Sequence, residues 1–250
     1  MSNVSDGLTY MKLANNIDCN DYGEDFEWAQ CTPEYSGRNN KDINFDLDGK
    51  TIKNIKIKPN NVLFSTYGGS TIHNGKILNV FSPDAIGIAR SFNGDLGIAG
   101  PTFKDISMSL SGTGCTGNMF LNCSFNSCAV YIEKAFLNEQ IFNYSINASN
   151  AFKNSDFKII VNNMNEKSIF AKNNGYGVSF TMDSCRITGA CKGKRCNGAL
   201  VGDGGTVISS VVDMDFSLTT AADGGLYAQN YIKGSSGSGV FNIDTTPDYY

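Results

Sequence analysis

The chain has 250 residues, 41% hydrophobic and only 18% charged, with 16 Phe and 11 Tyr, a composition too rich in core formers and too poor in charge for a disordered protein. Its net charge of −4 and its single short basic run, KGKR at Lys192–Arg195, leave no electrostatic surface for nucleic acid, and that run reads as a solvated loop. No apolar stretch approaches the ~20 residues of a membrane-spanning helix, and the opening MSNVSDGLTYMKLANN lacks the basic start and apolar centre of a secretory leader.

Residues 1–42 differ in character from the rest of the chain. They hold the only Trp, Trp28, and the acidic stretch DYGEDFEW from Asp21, with partial alternation between Thr9 and Asn20. They are expected to form an N-terminal cap, because a stack of strands otherwise exposes apolar side chains and an unpaired edge at its end. Regular alternation begins at Ile43. In INFDLDGKTIKNIKI, Ile43, Phe45 and Leu47 point one way and Asn44, Asp46 and Asp48 the other, with a turn at Asp48-Gly49.

From there a six-residue pattern recurs: apolar, any, Asn/Asp/Ser, any, any, apolar. It reads IKNIKI from Ile52, IHNGKI from Ile72, FKDISM from Phe103, FLNCSF from Phe120, IFNYSI from Ile141 and FKNSDF from Phe152, with weaker copies at Met182 and Val211. One unit cannot bury its own apolar pair, whereas a stack of units can, so the pattern predicts an all-β solenoid over residues 43–220. The uneven spacing of the copies predicts a loose parallel β-helix with three strands per coil, in which Ile141 and Phe152 lie on different sides. Asn tolerates the left-handed conformation of a sharp bend and bonds locally or to a neighbour stacked above it. Asn54, Asn74, Asp105, Asn122, Asn143 and Asn154 are therefore expected to form a ladder. Beyond residue 220 the pattern fades. Residues 221–250 are expected to be a C-terminal cap or docking tail, with strands within Leu226–Ile232 and Val240–Ile243 and a flexible connection at Gly234–Gly239.

Two long gaps between copies, Phe81–Gly100 and Asn162–Gly177, predict surface loops. The first is apolar enough to serve as a contact surface, through Phe81, Ile86, Ile88, Phe92, Leu96 and Ile98. The eight Cys form no CxxC pair, and Cys123 and Cys185 fall where the repeat wants a small apolar residue, so the thiols are expected to be reduced and buried. His73 is the only His, which rules out a multi-His metal site or a His-dependent triad, and it is expected on the outer wall. Asp213 and Asp215 share one strand face and read as solvated rather than catalytic. GDGG at Gly202–Gly205 and SGTG at Ser111–Gly114 lack the Lys-Ser/Thr of a phosphate loop. No catalytic residue, metal or cofactor is assigned.

Three segments carry a resemblance: NNIDCN at Asn15–Asn20, Trp28, and FDLDGKTIKNIKI at Phe45–Ile57. In this order they resemble a recurrent opening of bacterial and phage β-helix proteins. FLNCSFNS at Phe120–Ser127 resembles the Asn-Cys-x-Phe coil of right-handed parallel β-helices of the pectate-lyase-like class. The resemblance implies that fold, with its handedness, and a set of functions. These are phage head or tail appendages, fibres and decoration subunits, commonly homotrimers; polysaccharide lyases and hydrolases; and surface adhesins. The missing leader favours the first, a virion structural protein made in the host cytoplasm that binds its own copies, other virion proteins and host-surface polysaccharide. A depolymerase and an extracellular adhesin stand as alternatives.

Overall fold

The computed structural model describes residues 9–23, 25–28, 42–66, 69–81, 85–91, 97–111, 115–165, 167–172, 179–195, 200–201, 205–220, 231–233, 236–238 and 241–243. These build a parallel β-solenoid. The chain winds through three stacked faces, and every strand pairs in parallel with the strand one coil away. Apart from a short 3₁₀ turn at Cys19–Tyr22, the described residues hold no helix.

The first face stacks Thr9–Lys12, Ile43–Asp46, the start of Thr71–Phe81, the start of Thr102–Ser111, Ser124–Asn126, Ala148–Lys153, Phe180–Asp183, Gly205–Ile208 and Tyr231–Lys233. The second stacks Ile17–Asp18, Thr51–Lys56, the ends of Thr71–Phe81 and Thr102–Ser111, then Ala129–Lys134, Asp156–Asn165, Arg186–Arg195 and Val211–Thr220. The third is a separate five-stranded sheet of Phe64–Thr66, Ala89–Ser91, Phe120–Leu121, Phe142–Tyr144 and Phe170–Lys172, extended by a bridge from Phe170 to Val201. The segments around Ile141 and Phe152 accordingly lie on the third and first faces.

Alternation fills the interior with aromatic columns. On the first face Phe103, Phe125 and Phe152 stack with ring centroids 5.2 and 5.8 Å apart, and on the third face Phe120, Phe142 and Phe170 stack at 5.1 and 4.7 Å. The two columns meet edge to face, for example Phe142 against Phe152 at 87°. Parallel register makes this arrangement natural, because like residues in successive coils sit one strand spacing apart. Buried Tyr144 stacks on Phe180, and its phenol donates to the Cys123 carbonyl.

The bends resolve into two corners and one bend within a face rather than one ladder. Asn74, Asp105 and Asn154 all have positive φ (61°, 53° and 49°) at the corner between the first and second faces. Ser127, Ser184 and Ser209 occupy the same corner with φ of 55°, 55° and 48°. Asn54 lies inside the second face with positive φ, beside Asn79. Asn79 donates to Asn54 at 3.1 Å and Asn54 donates to Asp18 at 2.7 Å, a short ladder of its own. Asn122 turns a second corner, between the third and first faces; its amide donates to the Ile98 carbonyl and its Oδ1 accepts from the Ser145 N–H. Asn143 is no bend residue. It sits inside Phe142–Tyr144, whose two aromatics face the core, so its own side chain takes the outward side and is covered there, with Oδ1 lacking a hydrogen-bond partner.

Just past the first corner lies a column of which the repeat pattern announces only Cys185: Cys128, Ser155, Cys185 and Ser210, all buried. Each Ser Oγ accepts the backbone N–H of the Cys one coil before it, Ser155 from Cys128 and Ser210 from Cys185, both at 3.1 Å. Each Ser hydroxyl in turn donates 2.8 Å to a carbonyl two residues earlier. Ser155→Ala is expected to strand the buried Cys128 N–H and cost about 1–3 kcal/mol; Ser210→Ala is expected to match it. Urea unfolding checks this, and unchanged midpoints would contradict the pairing.

Several expectations need correction. KGKR is not a loop but the end of the Arg186–Arg195 strand. Gly234–Gly239, expected as a flexible connection, contains the strand Ser236–Ser238, paired with Val211–Asp213. Much of the second supposed loop, Asn162–Gly177, is strand as well, because Asp156–Asn165 runs on past its motif and Phe170–Lys172 joins the third face. At the N-terminus, Thr9–Lys12 and Ile17–Asp18 pair with Ile43–Asp46 and Thr51–Lys56 in the same parallel sense as later coils. The covering roles expected for 1–42 and 221–250 fall mostly outside the described residues.

Candidate functional site

The outer wall of the second face carries an open concavity. In AVYIEK, Val130 and Ile132 enter the core and Tyr131 and Glu133 face out. In the next coil Phe157 and Ile159 enter and Asp156 and Lys158 face out. One coil further Ile187 enters and Arg186 and Thr188 face out. Register aligns these outward residues into two rows across the coils: Ala129, Asp156, Arg186, and Tyr131, Lys158, Thr188. The methyl of Ala129 and the short Thr188 leave a depression between the longer side chains, a groove of about 410 Å³.

Its electrostatics are mixed. The Tyr131 phenol donates 2.8 Å to Glu133 Oε2, and this hydrogen bond, with burial second, holds its pKa above the usual value. Lys158 Nζ stands 5.7 Å from the Tyr131 ring centroid, within cation–π range. Asp156 and Arg186 are neighbours in register, yet among the described residues no ion pair joins them. A flat ring, a carboxylate, a guanidinium and an ammonium within three adjacent coils present an apolar platform edged by hydrogen-bonding groups. That chemistry suits a hydroxyl-rich ligand.

Cleavage of a glycosidic bond calls for two carboxylates flanking one bond. Asp156 is the one carboxylate lining the groove, and Glu133 beside it is engaged by Tyr131. Asp213 and Asp215 project outward and exposed on the next strand, opposite Thr188 and Ala190. Among the described residues no cluster of three or more metal-ligating side chains occurs. Among them, too, no helix is long and apolar enough to cross a membrane.

The remaining sequence-derived residues spread over the surface and core. Phe81 is exposed, Ile86 and Ile98 are half-buried, and Phe92 and Leu96 lie outside the described residues. Ile88 is wholly buried, and its N–H bonds to the Met119 carbonyl of the following coil. His73 is half-buried on the outer wall, 2.7 Å from Asn44 Oδ1. Six thiols, Cys19, Cys115, Cys123, Cys128, Cys185 and Cys191, are free and buried. Sequence reasoning missed Tyr131, Lys158 and Arg186, since they meet only through register across three coils. It missed Lys134 too, an inward lysine with 1% exposure whose Nζ has no partner. Burial lowers its pKa, opposed by nearby Cys115 and Glu139.

Set against known proteins, the chain matches no family model, no curated protein and no solved structure. Fold and wall together define its class, a parallel β-solenoid with a polar lateral groove.

Proposed function

We propose that this chain is a phage virion appendage, a right-handed parallel β-helix that assembles with copies of itself and binds host-surface polysaccharide along its side wall. The observation that carries the binding role is the groove in which Tyr131, Lys158, Asp156 and Arg186 are brought together by coil register. The virion role is supported by the resemblance of the Asn15–Ile57 segments to phage and bacterial β-helix openings. It is also supported by a fold whose backbone groups are bonded coil to coil, which suits a part exposed to proteases and shear.

Binding of host capsular polysaccharide by calorimetry tests the first half. Tyr131→Ala is expected to weaken it about tenfold, or ~1.4 kcal/mol. Equal affinity for the variant would remove the groove from the reading. Sustained release of new reducing ends or unsaturated products would replace a binder by a depolymerase, with Asp156 then the first carboxylate to substitute. Imaging of particles with a labelled chain tests the second half, and its absence from the virion would move the protein to a cell-surface adhesin.

A further inference from the structure

A second groove lies around the corner, on the outer wall of the first face. It measures about 330 Å³ and is lined by Thr102, Ser124, Asn126, Asn150 and Lys153. The residues between them, Phe103, Phe125 and Phe152, enter the core, so the lining side chains face out. Register sets Thr102 beside Ser124 and Asn126 beside Lys153. Asn150 reaches the rim because the Ala148–Lys153 strand is irregular there: four steps from Ala148 to Phe152 oppose two from Phe180 to Met182. Such a bulge re-aims side chains outward.

The lining chemistry is narrow. Two hydroxyls, two carboxamides and one ammonium offer donors and acceptors in nearly equal measure, with no carboxylate for a cation and no aromatic or aliphatic side chain for an apolar ligand. A polyol matches it. The two grooves belong to the same coils. Asn126 and Ala129 are three residues apart in one coil, Lys153 and Asp156 three apart in the next, at most about 10 Å along the backbone. Between them the corner carries Ser127 and Asn154 in these two coils, both exposed and neither bulky enough to wall one groove from the other, with Lys104 and Asp105 exposed in the coil before.

We propose that the two grooves are subsites for one ligand, an uncharged polysaccharide that crosses the corner at Ser127 and Asn154 and is long enough to fill both. This rests on the Tyr131 groove being a glycan site. Each groove alone is near the small end of ligand sites, so a short fragment gains little from either. A chain engaging both makes its second contact intramolecularly, and affinity rises without any new kind of contact. Length dependence is thus the signature.

The test uses the full chain with dextran, mannan and galactan, each as polymer and as size-fractionated short oligosaccharides. The best polymer is expected to bind at least about tenfold more tightly per chain end than its short fragment. Asn126→Ala with Lys153→Ala should bring the polymer down to the level of the fragment while fragment binding, held by the Tyr131 groove, stays unchanged; the retained fragment binding also shows that the variant folds. Tyr131→Ala should weaken both. Equal affinity of polymer and fragment, or a polymer indifferent to the double variant, overturns the two-subsite assignment and leaves the Tyr131 groove standing. No binding of any of the neutral glycans overturns the two-subsite assignment, while the Tyr131 groove stands or falls by the capsular-polysaccharide titration.

Discussion

Phe142→Ala is expected to lower the free energy of unfolding by about 3–5 kcal/mol. Phe142 is fully buried and lies between two parallel rings, Phe120 at 5.1 Å and Phe170 at 4.7 Å, with Phe125, Phe152 and Phe157 edge-on at 5.4, 5.2 and 5.4 Å. Truncation removes the transfer energy of one phenyl group and opens a cavity whose walls are strands held in register by coil-to-coil hydrogen bonds. Those walls cannot close in without breaking ladders above and below, so relaxation is limited and the cost sits toward the upper end. Phe64 provides the control. It occupies the same column near its start and has a single ring contact among the described residues, Phe103 at 6.1 Å. Phe64→Ala is expected to cost less, and Phe142→Leu less again. Urea midpoints with unchanged slopes would show this order; equal losses at Phe142 and Phe64 would mean that the column does not act as a stack.

The sequence made the coil legible because apolar pairs at fixed offset leave few alternatives to a stack. Ile52 with Ile57, Phe103 with Met108 and Phe120 with Phe125 all enter the core. The bends were legible one by one, since Asn and Asp announce a positive φ. What they could not announce was which corner each one turns. Asn54, Asn74 and Asn122 share a local pattern and lie at three different places around the coil, because the same bend chemistry serves any corner. Ser127, Ser184 and Ser209 do the work of Asn at the first corner, and of the three only Ser184 falls at the polar position of a repeat copy, the weaker one at Met182. Asn143 misled for the opposite reason: its neighbours Phe142 and Tyr144 satisfy the repeat while continuing a strand.

The groove was less legible than the coil. Tyr131 and Lys158 are separated by 27 positions, and Lys158 and Thr188 by 30, distances set by how much chain each coil spends on its third face and loops. Alternation says that these side chains face out; only register says that they face one another. A one-coil miscount would have joined Tyr131 to Ser109 alone. Lys134 was hidden by the rule that predicts everything around it. Charged residues are expected outside, yet alternation after Val130 and Ile132 puts position 134 inside, and the backbone ladder wins over the preference of the side chain.

The same burial is expected to make the protein labile to alkali, the second large effect. Burial raises the thiol pKa from the usual 9.0 to about 11 at Cys19, Cys115, Cys128 and Cys185, to about 12 at Cys191, and higher still at Cys123. The Tyr144 phenol is raised well above 10.0 by the same cause. These acids stay protonated in the fold after their unfolded counterparts have ionised, so the unfolded state binds fewer protons. Their stabilisation is complete below pH 9 and is lost as pH rises toward 11, at about 1.4 kcal/mol per thiol per pH unit. Lys134 acts in the opposite sense. Its folded pKa is depressed below 10.5, so the unfolded state binds the extra proton at lower pH, and stability recovers as pH climbs from the depressed value to 10.5. Between pH 9 and 10.5 one amine opposes six thiols and the thiols prevail, by several kcal/mol in all. Denaturant unfolding in reductant from pH 8 to 11 is expected to show a steep loss beginning near 9. Cys191→Ala should reduce that slope by about one thiol's share. Lys134→Met removes a buried amine without a partner, so it should stabilise the fold at neutral pH by about 1–3 kcal/mol and make the alkaline loss steeper. A pH-independent stability across this range would mean that solvent reaches the thiols in the folded coil, and the dry aromatic interior would have to be given up with it.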